Sequence, residues 1–248
     1  MGVLDQAREV LIERCLERGV DLAEPVSVRP LTPDDAIGER ADAEFVIKKG
    51  RERVIEATFR SARGQAFTDA PTSFAGPLEG ALNLPLFSSR ERAVCVAAIN
   101  AVLRSLDLAA GTVHCRDEDP TLCGSELARI VEERFGRVRV GLVGLQPAIL
   151  AGLVDRFGRE ALSVLDLNDD NIGHLRCGIE VWDGTTDRPR LAAACDVALV
   201  TGSAVVNGSI DGLLSMFRSA NKPVVFYGNT IAGTAALLGL DRVCPFSR

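Results

Sequence analysis

Apolar residues recur at two different periods along the chain, and the change of period divides it. Residues 3–18 carry Val3, Ala7, Val10, Leu11 and Leu16 at helical spacing, with Gly19 as a stop, and predict an amphipathic helix. Residues 25–37 hold three prolines and an Asp pair and read as irregular. Two strand-like runs follow, 43–48 and 54–59, separated by Lys49-Gly50-Arg51, the pattern of a β-hairpin. Residues 61–87, rich in Gly, Pro, Ser and Thr, read as a long connecting segment, longer than loops without a role usually are. A helix is then expected from Ser88, where Ser88-x-x-Glu91 has the form of a capping box, to about Leu106. Its small, apolar middle predicts burial. A further helix is expected over 125–135.

Beyond Gly136 short apolar runs alternate with helical stretches. Strands are expected at 138–143, 162–167, 178–182, 195–200 and 223–227, and helices at 148–157 and near 187–194, 208–219 and 231–238. Such alternation predicts a parallel sheet covered on both faces. The fold class is therefore α/β: a small α+β N-terminal domain over 1–135 and a parallel-sheet domain over 136–248.

In open parallel sheets ligands bind outside the carboxyl ends of the strands. Here four strands deliver glycines and short polar side chains to one edge: Gly144 and Gln146 after the first, Asp166 and Asn168 after the second, Thr201, Gly202, Ser203 and Asn207 after the fourth, Asn229 and Thr230 after the fifth. Glycine permits close backbone approach, and helix N-termini offer free N–H groups. The same residue types also cap helices and build βα turns with nothing bound, so each turn taken alone has two readings. The first turn, Gly141-Leu-Val-Gly144-Leu-Gln146-Pro147, is not G-x-G-x-x-G, and an NAD site is not expected.

Seven cysteines, an odd number in a chain with no export signal at its start, read as reduced thiols. His114, Cys115 and Cys123 form an H-C-x7-C pattern in an acidic segment. These donors suit zinc, copper or a related transition or heavy metal, although the spacing is that of no zinc finger. The other reading is an acidic surface loop with two partly buried thiols. His174-x-x-Cys177 is a second such pair, lining the cleft or lying on the surface. Cys244 has no assigned place. A net charge of −6 argues against nucleic acid, and no apolar run approaches the length of a membrane span. A cytoplasmic protein is expected, and a homodimer is left open. No hydrolase triad or P-loop is present.

The stretches VCVAAINAVL (94–103), TVHCRDEDP (112–120), VGLVGLQPAI (140–149), DLNDDNIG (166–173), VTGSAVVNGSI (200–210), FYGNTIAG (226–233) and LLGLDRVCP (237–245) resemble the heavy-metal chelation domain family. The resemblance implies an enolase N-terminal-like domain followed by a Rossmann-like domain, with a cleft between them that handles a metal or metal chelate. It makes Asn100, in the AAIN stretch, a candidate for the cleft or for a buried bond to a neighbouring loop. Two functions follow as expectations: binding of a metal ion or a metal-bearing small molecule, or an enzyme acting on a small anionic metabolite held at the strand ends.

Overall fold

The computed structural model describes residues 1–38, 52–116 and 119–248; the expected strand at 43–48 and the turn at 49–51 lie outside them. The chain is a mixed α/β protein with two sheets. Helix α1 (Val3–Glu17) opens it and buries Leu4, Ala7, Leu11 and Cys15, which share one face. Strand β1 (Pro25–Pro30) and the short helix α2 (Pro33–Ile37) follow. The proline-bearing stretch expected to be irregular is therefore ordered. Its strand tolerates proline because Pro25 and Pro30 sit at its two ends, while Val26 and Val28 between them are buried.

Strands β2 (Arg53–Phe59) and β3 (Ala62–Thr68) form a hairpin through Arg60 and Ser61, and β4 (Phe74–Pro77) pairs with β1. The four-stranded sheet is antiparallel in the order β3-β2-β1-β4. The segment 61–87 is thus not one long loop; after β4 comes helix α3 (Leu78–Leu82). Two facts hide β3 in the sequence. Its buried face is partly polar, with Gln65 donating to Glu56 at 2.9 Å. Its Gly64 lies so close to the next helix that a Cβ there would be 2.2 Å from the Ala101 nitrogen.

Helix α4 (Ser89–Ser105) begins as expected, with the Ser88 N–H and hydroxyl both donating to Glu91 at 2.7 Å. It is buried continuously from Ala93 to Leu103. One side rests on β2 and β3, the other on helices α8 and α10 of the second half, so its small residues answer contacts on all sides. Helix α5 (Asp119–Phe135) starts six residues earlier than expected.

The second sheet follows: β5 (Val140–Val143), α6 (Pro147–Phe157), a 3-10 turn (Arg159–Ala161), β6 (Leu162–Asp166), β7 (Leu175–Arg176), β8 (Ile179–Asp183), α7 (Arg188–Ala194), β9 (Val197–Thr201), α8 (Ala204–Asn207), α9 (Ile210–Ser219), β10 (Val224–Tyr227), α10 (Ala232–Leu238) and β11 (Arg242–Val243). The strand order is β11-β10-β9-β5-β6-β8-β7, parallel except for β7. The two-residue β7 and β11 carry no sequence signal of their own. From β5 the chain adds strands first toward β8 and then, from β9, in the other direction. The loops after β5 and β9 therefore diverge at the centre of the sheet, where a crevice opens. α1, α4, α8 and α10 cover one face in a core that runs unbroken into the first sheet. α5 and α6 cover the other. Among the described residues no helix is long and apolar enough to cross a membrane.

Candidate functional site

At this switch point lies a cavity of about 640 Å3, within the range of small-molecule sites. Its floor is the strand ends of the parallel sheet. Its opposite wall is the Glu52–Arg53 start of β2 and the Phe67–Asp69 end of β3, with His114, Cys115 and Cys123 on one side. All ten strand-end candidates line it: Gly144, Gln146, Asp166, Asn168, Thr201, Gly202, Ser203, Asn207, Asn229 and Thr230.

Much of their hydrogen bonding is spent on shaping the loops. Gln146 caps α6, its Oε1 accepting from Ile149 N at 2.7 Å. The Asp166 carboxylate accepts from Leu145 N and Asn168 N, each at 2.6 Å, and so joins the loops after β5 and β6. Asn168 and Asn207 each accept from a backbone N–H two residues on, and Thr201 from Ser203 N. Gly144 has φ +86° and faces Thr201, whose Cγ2 would be 2.7 Å from a Cβ, so no larger residue fits the turn. Thr230 reaches across the cavity wall and accepts from Phe67 N at 3.1 Å.

Asn229 differs from these. It is 1% exposed, its Nδ2 donates weakly to Thr112 O at 3.4 Å, and its Oδ1 is buried with no hydrogen-bond partner among the described residues. Such orphans are uncommon in folded proteins and call for an explanation.

Asn100 does not line the cavity. It is fully buried, donating to Gln65 O at 2.8 Å and Thr230 O at 2.9 Å and accepting from Gly233 N at 2.7 Å. It pins β3 and α4 to the loop that carries Asn229. His174 and Cys177 also lie away from the cavity, exposed on the β7–β8 hairpin.

His114, Cys115 and Cys123 do converge, and the structure adds Cys244, which follows β11. Burial lowers the His114 pKa and favours the neutral imidazole that binds metals. Burial also pushes Cys115 up to about 12. Cys123 and Cys244 share one proton. The Cys123 thiol donates to Cys244, which Arg242 and Ser247 further hold low as a thiolate, while Cys123 is raised correspondingly. The donor chemistry suits a thiophilic ion. Its number does not suffice for a bare one: among the described residues no three His, Cys, Asp or Glu side chains are grouped to hold a metal. Asp117 and Glu118 lie outside the described residues.

Part of the cavity is acidic through Glu52 and Asp69, which the sequence reading missed. Glu52 and Asp69 face Asp166 there. Burial, with Asp166 and Asp69 as like charges, pushes the Glu52 carboxyl up to about 7. These residues come from segments more than 90 positions from Asp166, and only the packing of the two sheets joins them.

A family model described as "DUF364: Putative heavy-metal chelation" matches this chain. The match covers residues 127–240. It takes in α6 to α10 and the strand-end loops, but not His114, Cys115, Cys123 or Cys244. Among solved structures, a protein with unknown function from the DUF364 family of Pyrococcus horikoshii is similar at 16% identity, over 92% of this chain and 80% of that one, with a TM-score of 0.54. A second, from the DUF364 family of Desulfitobacterium hafniense DCB-2, is similar at 16% identity over 75% of this chain and 72% of the other, with a TM-score of 0.49. At such identity the first likeness speaks for the fold alone. No curated protein matches the chain.

Proposed function

We propose that the protein belongs to this heavy-metal chelation family and binds a metal carried by a small chelating molecule, in the cavity between an enolase N-terminal-like domain (1–135) and a Rossmann-like domain (136–248). The order β8-β6-β5-β9-β10-β11 supports the second name, because it is the order 3-2-1-4-5-6 of doubly wound nucleotide-binding sheets. One observation carries the functional reading. Three cysteines and a histidine from three chain segments line one wall of a cavity far larger than an ion needs. The thiols offer soft ligands, and the rest of the volume accommodates an organic group that completes the coordination shell. When bound, the metal would supply Lewis acidity at the thiol wall; Cys123 and Cys244 would hold it, and the chelating molecule would complete its shell.

The alternative, an enzyme for a small anionic metabolite, draws less support from the charges. Glu52, Asp69, Asp166, Asp169 and Asp170 line the cavity against Arg53 and Arg188.

The test is metal uptake by purified protein titrated with Zn2+ or Cd2+ supplied together with a weak bidentate chelator such as picolinate. Near-stoichiometric uptake is expected, weakened about tenfold or more in Cys123→Ser and in Cys244→Ser. Uptake that is unchanged when both cysteines are replaced would contradict the reading.

A further inference from the structure

The cavity lining carries a surplus of hydrogen-bond acceptors. Asn229 Oδ1 is buried without a partner, and its amide orientation is fixed, because a flip would turn the oxygen toward the Thr112 carbonyl that Nδ2 now approaches. Glu52 and Asp69 add two carboxyl groups. Asp166 adds a third, whose oxygens accept one backbone N–H each and keep lone pairs to spare. An acceptor-only ligand such as a carboxylate or phosphate has nothing to offer these groups. A ligand rich in N–H donors, and positively charged, satisfies all of them.

We infer that the cavity recognises an organic cation of the ammonium or amidinium class, held by Glu52 and Asp69 with an N–H donated to Asn229 Oδ1. The inference rests on the cavity being the binding site, but not on the thiols or on any metal. A hard divalent ion is a poorer occupant, since no three carboxylates of the described residues are grouped to ligate one. The apolar part of the wall, with Leu145, Leu165 and Tyr227, suits a flat hydrocarbon body attached to the cationic head.

The sign of the pH dependence follows from Glu52. Its carboxyl, raised to about 7, is partly protonated near neutrality and ionises fully only above that. A cation binds the ionised form and drives the proton off. Affinity therefore rises with pH up to about 7 and levels above it, with a slope approaching tenfold per pH unit on the acid side. The groups facing Glu52 are Asp69 after β3, Asp166 at the end of β6 and Tyr227 on β10. Arg188 at the start of α7 lines the same cavity, with its Nε donating to Gly184 O at 2.5 Å. On β2 itself Arg53 donates to the Glu52 carbonyl at 2.8 Å.

The experiment compares benzamidine with benzoate, which share shape and differ in charge, on metal-free protein at millimolar concentration. Thermal shift and calorimetry are the readouts. Benzamidine is expected to stabilise the fold and benzoate not to. Affinity for benzamidine should fall about tenfold in Glu52→Gln and several-fold in Asp69→Asn, and in Glu52→Gln it should no longer vary between pH 6 and 8. Equal or stronger binding of benzoate, binding of neither probe, a pH profile that survives Glu52→Gln, or Glu52-dependent stabilisation by Mg2+ alone would each overturn the inference. Because the protein carries no metal in this experiment, failure here leaves the uptake test with Cys123→Ser and Cys244→Ser standing, and the reverse.

Discussion

Asn100→Ala is expected to cost about 3–5 kcal/mol of folding stability. The side chain is fully buried in α4 and joins three backbone groups, Gln65 O, Thr230 O and Gly233 N. Truncation strands the Gly233 N–H, which Asn100 Oδ1 now accepts at 2.7 Å, and frees the carbonyls of Gln65 and Thr230. Each unsatisfied buried group costs about 1–3 kcal/mol, and a small cavity adds to it. Urea denaturation measures the loss. Asn100→Asp is a useful companion, because it retains the acceptor for Gly233 but turns the donating nitrogen into a second oxygen facing two carbonyls. It should be at least as damaging. A loss below about 1 kcal/mol for both variants would mean that the pin is not energetically real.

The second large effect is expected at the crossing of α5 and α6. Gly124 and Gly152 face each other there with almost no space between backbones. A Cβ on Gly152 would be 2.5 Å from the Gly124 carbonyl carbon, and one on Gly124 would be 2.0 Å from the Ala148 oxygen. Backbone cannot give way as a flexible side chain can, so Gly152→Ala must push the helices apart. Overpacking of this kind costs about 1–3 kcal/mol or more. The consequence reaches the site, because Cys123 precedes Gly124 on the same helix and is carried with it. Gly152→Ala, which alters no candidate ligand, is therefore expected to lower the melting temperature by several degrees and also to weaken Zn2+ uptake. A protein with lowered stability but unchanged uptake would separate Cys123 from the site.

Much of the second half was legible because its longer strands are short, largely apolar runs flanked by turn residues. The runs from Val140 to Tyr227 appear in the structure with ends shifted by a residue or two. The Ser88–Glu91 box marked its helix start for the same reason: it is a local signal. What escaped was set by contacts distant in sequence. Strand β3 reads as loop because Gly64 answers the Ala101 backbone and Gln65 answers Glu56. Strand β1 is masked by its terminal prolines. Among the site residues, the strand-end polar groups were visible from the rule that loops after parallel strands gather at one edge, and they do line one cavity. Asn100 was visible as an anomaly, a polar residue in a small-residue helix, but its partners were not. Cys244, Glu52 and Asp69 gave no local sign at all. Cys244 joins Cys123 only because β11 pairs beside β10, and Glu52 meets Asp166 only because the two sheets share a core.

The central claim is that the thiol wall of this cavity is where a metal resides. An anomalous difference map from crystals of the zinc-loaded protein tests it most directly. The account predicts a peak inside the cavity within about 2.3 Å of the Cys123 and Cys244 sulfurs. A peak on the exposed Cys177 instead, or none near Cys123 and Cys244 in protein that has taken up zinc, would contradict it.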